Sequence, residues 1–89
     1  MKTAARFLVS GRVQGVSFRA GTRQQAQAQG LDGIARNLED GRVEVIVHGE
    51  AAAIDTLAQW LQHGPPNARV ERIRRERWLA PVEAGFSVA

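Results

Sequence analysis

The chain has 89 residues, 44% of them hydrophobic and 24% charged, with a formal net charge of +3 and no cysteine. That length accommodates a single domain over residues 1–89 with a limited core, and the composition is that of a folded globular chain. The missing cysteines exclude disulfides, thiolate metal sites and a cysteine nucleophile and fit a cytoplasmic setting, while apolar runs as short as "FLV" and "VIV" offer no signal peptide or membrane span.

Residues 5–10, "ARFLVS", are rich in strand formers and bounded by Gly11, which predicts a first strand. The stretch "GRVQGVSFRAGTR" then gathers glycine and arginine without a single acid. From Phe18 to Gln29 the near-helical spacing of Phe18, Thr22 and Ala26 predicts a helix that Gly30 ends and that Gly21 weakens slightly. Asp40-Gly41, between "GIARNLE" and "RVEVIVHG", predicts a tight hairpin turn whose two central residues take positive φ. In the strand after it, Val43, Val45 and Val47 alternate with Glu44, Ile46 and His48, giving one apolar and one mixed face. A second helix is predicted over 51–63, with Ile54, Leu57, Ala58 and Leu61 on one stripe and Gly64-Pro65-Pro66 as its stop. Residues 68–78 read as a strand in which Val70 and Ile73 fall out of two-residue phase, predicting a bulge, and "GFSVA" is placed as an edge strand.

The order β-α-β-β-α-β is the split βαβ pattern of an α+β, ferredoxin-like sandwich: an antiparallel sheet with two helices on one face. With strands 1 and 3 central and strand 2 parallel to strand 1, the loop leaving strand 1 and the far end of strand 2 come to the same end of the sheet, which brings Arg19 near Asn37. Charge is uneven along the chain. Lys2, Arg6, Arg12, Arg19 and Arg23 all precede the first acid, Asp32, so the N-terminal third is a field of one sign that attracts anions. A glycine-bounded loop running into a helix N-terminus offers main-chain N–H donors to an anion, and Arg19 in the first helical turn opposes the helix dipole unless an anion binds there. Asparagine is uncommon in strands, so Asn37 also asks for a role.

These residues carry a resemblance. "GRVQGVSFRAGTRQQA", "GLDGIARNLEDGRVEVIVHGE" and "LQHGPPNARVERI" are similar in order and spacing to the acylphosphatase family over nearly the whole chain. The resemblance implies hydrolysis of acyl phosphates without a metal or other cofactor. It puts the phosphate-binding amides on Gln14, Gly15, Val16, Ser17, Phe18 and Arg19, the phosphate-binding guanidinium on Arg19, and the asparagine that orients water on Asn37. The chain departs from the family pattern at Gly33-Ile34-Ala35, where Gly-Trp-Val is common, and at Ser17, where glycine or an aromatic is frequent.

Other features point elsewhere. His48 and His63 have no third ligand at metal-site spacing, and Trp60 and Trp78 are read as packing on the core. The run "RVERIRRER" carries five arginines and two glutamates and supports a rival reading, a basic ferredoxin-like nucleic-acid-binding module, but such modules stack bases on sheet aromatics, and of the five aromatics here none lies in a Gly-Phe-Gly-Phe-like strand. A monomer acting on a small acyl phosphate, with no nucleic-acid or membrane partner, is therefore expected.

Overall fold

The computed structural model describes residues 1–89. Seven elements follow the chain: β1 (Lys2–Arg12), α1 (Phe18–Ala28), β2 (Asp32–Asn37), β3 (Val43–Glu50), α2 (Ala51–Leu61), β4 (Arg69–Arg77) and β5 (Phe86–Val88). The strands form one sheet in the order β4-β1-β3-β2-β5. The first four pair antiparallel, as expected, but β5 runs parallel to β2, so the sheet is mixed.

Both helices cover the same face, α1 over β2 and β5 and α2 over β1 and β3. Ala5, Phe7 and Val9 of β1, Val43, Val45 and Val47 of β3, Ala35 of β2 and Phe86 of β5 meet Phe18 and Ala26 of α1 and Ile54, Leu57 and Leu61 of α2 in one buried cluster. The alternation read along β3 is thus the core face itself. Thr22, fully buried in α1, satisfies its hydroxyl on the Phe18 carbonyl at 2.8 Å. Gly21 is more than a weak point in α1. A Cβ there would come within 2.9 Å of the Trp60 ring, which packs from α2 against Phe18 with ring centroids 5.7 Å apart.

Two local expectations are corrected. Glu39, Asp40 and Gly41 form a three-residue turn closed by Gly41 N–H to Leu38 O at 3.2 Å and Leu38 N–H to Arg42 O at 2.8 Å. Gly41 takes φ 95° but Asp40 does not take positive φ; its carboxylate instead accepts from the Arg42 N–H at 3.1 Å. That N–H is the leading cause holding the Asp40 carboxyl below its ordinary value. The second correction concerns charge. Arg6 is no free member of a cationic field, because it donates to Glu44 at 2.6 Å and Glu76 at 2.7 Å on the sheet face that no helix covers. Glu44 is 2% exposed and also accepts from Arg36 at 2.5 Å. Hydrogen bonding to Arg6 lowers the Glu76 pKa, so this contribution to stability is present above the unfolded-state value and is lost as pH falls through the folded one.

The phase break in β4 is a bulge: Ser10 faces Arg72 and Gly11 faces Val70, leaving Glu71 unopposed. On β2, Gly33 has φ 147°, and a Cβ would overlap the Ile46 carbonyl oxygen of the paired strand. Gly33→Ala is expected to cost about 3 kcal/mol against about 1 kcal/mol for Gly41→Ala, which meets no neighbouring atom, as read from urea denaturation. Equal losses would show that the close approach of β2 to β3 is not what demands glycine.

Candidate active site

The register of the sheet decides where the candidate residues fall. Val9 of β1 pairs with Val43 of β3, and Val43 pairs in turn with Asn37 of β2, so the three stand in one row across the sheet. Residues directly opposite share a face. Val9 and Val43 belong to the core, so Asn37 stands on the helix-bearing face, at the end of the sheet to which β1 delivers the following loop. It is exposed, and its carboxamide has no protein partner.

Between Arg12 and Phe18 the main chain curls. Gly15 has φ 75° and Ser17, the residue before α1, has φ 63°, the one left-handed residue other than glycine in the chain. Alternation of right- and left-handed residues turns successive N–H groups toward one concavity. Ser17 makes no side-chain capping bond and no acid occupies the first turn of α1, whose first hydrogen bond runs from Gly21 N–H to Ser17 O at 3.0 Å. The N–H groups of Gln14 through Ala20 consequently find no acceptor in the protein. Such a run of free donors at a helix N-terminus is an anion-binding arrangement.

Beside it lies a cleft of about 370 Å³ lined by Val13, Gly15, Ser17, Phe18, Arg19, Ala20 and Val88. Arg19 is half-buried here and donates from one terminal nitrogen to the main-chain oxygen of Ala89. Ala89 is itself tied to β2 through its N–H and the Ala35 carbonyl at 3.0 Å. One arm of the guanidinium is thereby anchored, and its remaining N–H groups are available to a bidentate oxyanion.

Gly15, Ser17, Phe18 and Arg19 are thus gathered at the cleft, whereas the side chains of Gln14 and Val16 are not among its lining. Val16 packs against the core, and Gln14 turns toward the β2–β3 hairpin. Asn37 shares the face and the end of the sheet with the loop but lies outside the cleft lining and makes no direct bond to Arg19. A second depression of about 230 Å³, at Thr3, Ala4, Ala5, Arg75, Glu76 and Arg77, belongs to the opposite end of β1. The Ala89 anchor of Arg19 was not anticipated from the sequence; the placing of "GFSVA" on the sheet edge was the one available signal.

Of the five arginines of β4, two meet partners within the chain. Arg75 pairs with Asp55 at 3.0 Å and lies over the Phe7 ring at 5.4 Å, and Arg74 approaches Glu76 at 3.6 Å. The nucleic-acid reading is not favoured. No helix is long and apolar enough to cross a membrane.

Comparison with known proteins bears on the family and the fold. A sequence model described as Acylphosphatase matches residues 5–88. The chain is 59% identical over 88 residues to an acylphosphatase of Alkalilimnicola ehrlichii, covering 99% of each. It superposes with TM-score 0.94 and 38% identity on an acylphosphatase from Coxiella burnetii, covering 99% of this chain and 93% of that one. For the crystal structure of acylphosphatase from Bacillus subtilis the TM-score is 0.88 at 33% identity, covering 100% and 99%.

The left-handed Ser17 carries a conformational cost that glycine escapes. Ser17→Gly is expected to be neutral or to stabilise by up to about 1 kcal/mol, whereas Ser17→Val, β-branched at positive φ, costs about 1 to 2 kcal/mol. Thermal denaturation of the two variants checks this, and a stable Ser17→Val protein would contradict the left-handed assignment.

Proposed function

The chain belongs to the acylphosphatase family and is an enzyme acting on acyl phosphates, and we propose that Arg19 and the amides of Gln14 through Arg19 hold the phosphoryl group while Asn37 orients the attacking water. The observation that carries this assignment of roles is the unbroken run of acceptor-free N–H groups from Gln14 to Ala20, on the same face and at the same end of the sheet as Asn37.

Acyl phosphates are mixed anhydrides of a carboxylic acid and phosphoric acid. Their leaving group is a carboxylate whose conjugate acid has a pKa near the ~4 of side-chain carboxyls, so it departs without a proton. An enzyme for this bond therefore needs no general acid. It must neutralise the phosphoryl oxygens and hold water in line with the bond that breaks, tasks of electrostatics and positioning. Loop amides and the Arg19 fork meet the first requirement. The Asn37 carboxamide, both donor and acceptor, meets the second. Water oxygen bonds to phosphorus, the bond from phosphorus to the bridging oxygen breaks, and the carboxylate leaves with that electron pair. The water proton passes to a phosphoryl oxygen, giving inorganic phosphate.

The enzyme is read as a cytoplasmic monomer. Among large apolar residues only Met1, Leu79 and Val88 are exposed, which leaves little surface for a stable partner.

The test is hydrolysis of benzoyl phosphate with EDTA present. The wild type is expected to release phosphate at a rate nearly flat across neutrality, because the proposed steps use no side chain as a general acid or base. Asn37→Ala is expected to lower kcat by about 10²–10³ with little change in inhibition by inorganic phosphate. Arg19→Lys loses turnover and phosphate binding together, since a point charge does not replace a planar fork. A bell-shaped profile with limbs near about pH 6 to 7 would instead point to a histidine base.

A further inference from the structure

Gln14 belongs to the phosphate loop through its main chain, but its side chain reaches away from it. The half-buried carboxamide donates from Nε2 to the Leu38 carbonyl at 2.8 Å and to the Arg42 carbonyl at 3.0 Å. Both acceptors already close the β2–β3 turn, Leu38 O taking Gly41 N–H at 3.2 Å and Arg42 O taking Leu38 N–H at 2.8 Å. Both N–H bonds of the amide are spent on the two sides of one turn, 24 and 28 residues further along the chain. No other side chain between Arg12 and Phe18 hydrogen-bonds to that hairpin.

Leu38 directly follows Asn37, and the end of β2 is thinly supported. Pairing of β2 with β5 stops at Ala35, so Arg36 and Asn37 are flanked by β3 alone. Gln14 reaches this unsupported end from the β1 side, past the start of β3. We propose that Gln14 is a positioning residue whose carboxamide clamps the phosphate loop to the hairpin and so sets the placement of Asn37 relative to a loop-held phosphate. The inference rests on the roles assigned above to the loop and Asn37. In-line attack makes those roles sensitive to distance, since a misplacement of about 1 Å costs about 10²-fold in rate.

Gln14→Glu keeps the shape, removes both donors and sets carboxylate oxygens against two carbonyls. Acting through Asn37, it is expected to lower kcat for benzoyl phosphate by about 10- to 100-fold while inhibition by inorganic phosphate stays within about three-fold. The deciding measurement is the double variant: in the Asn37→Ala background, Gln14→Glu lowers kcat by less than about two-fold, because no aimed water remains to be misplaced. Multiplying losses in the double variant overturn the clamp, as does a phosphate inhibition constant that rises in step with the loss of kcat, or full activity of Gln14→Glu. Should that variant not fold, Gln14→Met fills the same space without charge and carries the same test. A wild type that leaves benzoyl phosphate intact, or a fully active Asn37→Ala protein, overturns the underlying roles and the clamp with them, whereas an active wild type with a crippled Asn37→Ala and an additive Gln14 effect overturns the clamp alone.

Discussion

The site depends on the pairing of β3 with both β1 and β2 in a single register. Because side chains alternate along a strand, a slip of one residue would carry Asn37 to the uncovered face of the sheet and separate it from the loop and α1. Val43, Val45 and Val47, all fully buried, prevent that slip, since moving any of them out of phase exposes apolar area and buries a polar neighbour in its place. Core packing and site geometry are thus one constraint. The valines that stabilise the sandwich also fix the face on which Asn37 stands.

The opposite face of the sheet meets the same requirement by other chemistry. Glu44 lies in β3 between two core valines and is nearly as buried as they are, yet it points away from the helices. A carboxylate there survives because Arg6 and Arg36 reach it from both neighbouring strands, with Arg36 directly opposite in register. Removing one partner of such a buried group is costly, so the charge cluster also opposes strand slippage. It ties β4, β1, β3 and β2 together through Glu76, Arg6, Glu44 and Arg36, on the face that has no helix to cover it.

How much could be read from the residues alone follows from the range of each interaction. The element order, the valine face of β3 and the bulge between Val70 and Ile73 were legible because each is written in local periodicity. The resemblance through "GRVQGVSFRAGTR" and "GIARNLEDG" directed attention to Arg19 and Asn37. Features that join distant segments were not legible. One local feature was missed as well, since an Asp-Gly pair is compatible with more than one turn and does not reveal that the Asp40 side chain holds the Arg42 amide in a three-residue turn. Gly21 looks like a weak helix position until Trp60, on the other helix, is placed against it. Arg6 counts toward a cationic N-terminal third only until β3 and β4 bring Glu44 and Glu76 to it. Gln14 was assigned to the loop for its amide, and nothing local discloses that its side chain spans to Leu38 and Arg42.

The loop itself runs against the rules that govern the rest of the chain. Thr22, a few residues on, satisfies a buried hydroxyl on its own helix, and the sheet satisfies its interior amides, yet the donors from Gln14 to Ala20 have no protein acceptor and Ser17 is held in a left-handed conformation. A sequence optimised for stability alone would place at position 17, the N-cap of α1, either a capping aspartate in the usual extended conformation or a glycine, which takes positive φ without cost. A capping carboxylate would occupy donors that the proposed roles assign to the phosphoryl group, and it would repel that group. In the roles proposed above, those unpaired amides and Arg19, one arm of which is held by Ala89, are kept for an incoming phosphoryl group. In a reaction whose leaving group needs no proton, donors fixed in this way would be, under the proposed roles, most of the catalysis the chain has to supply.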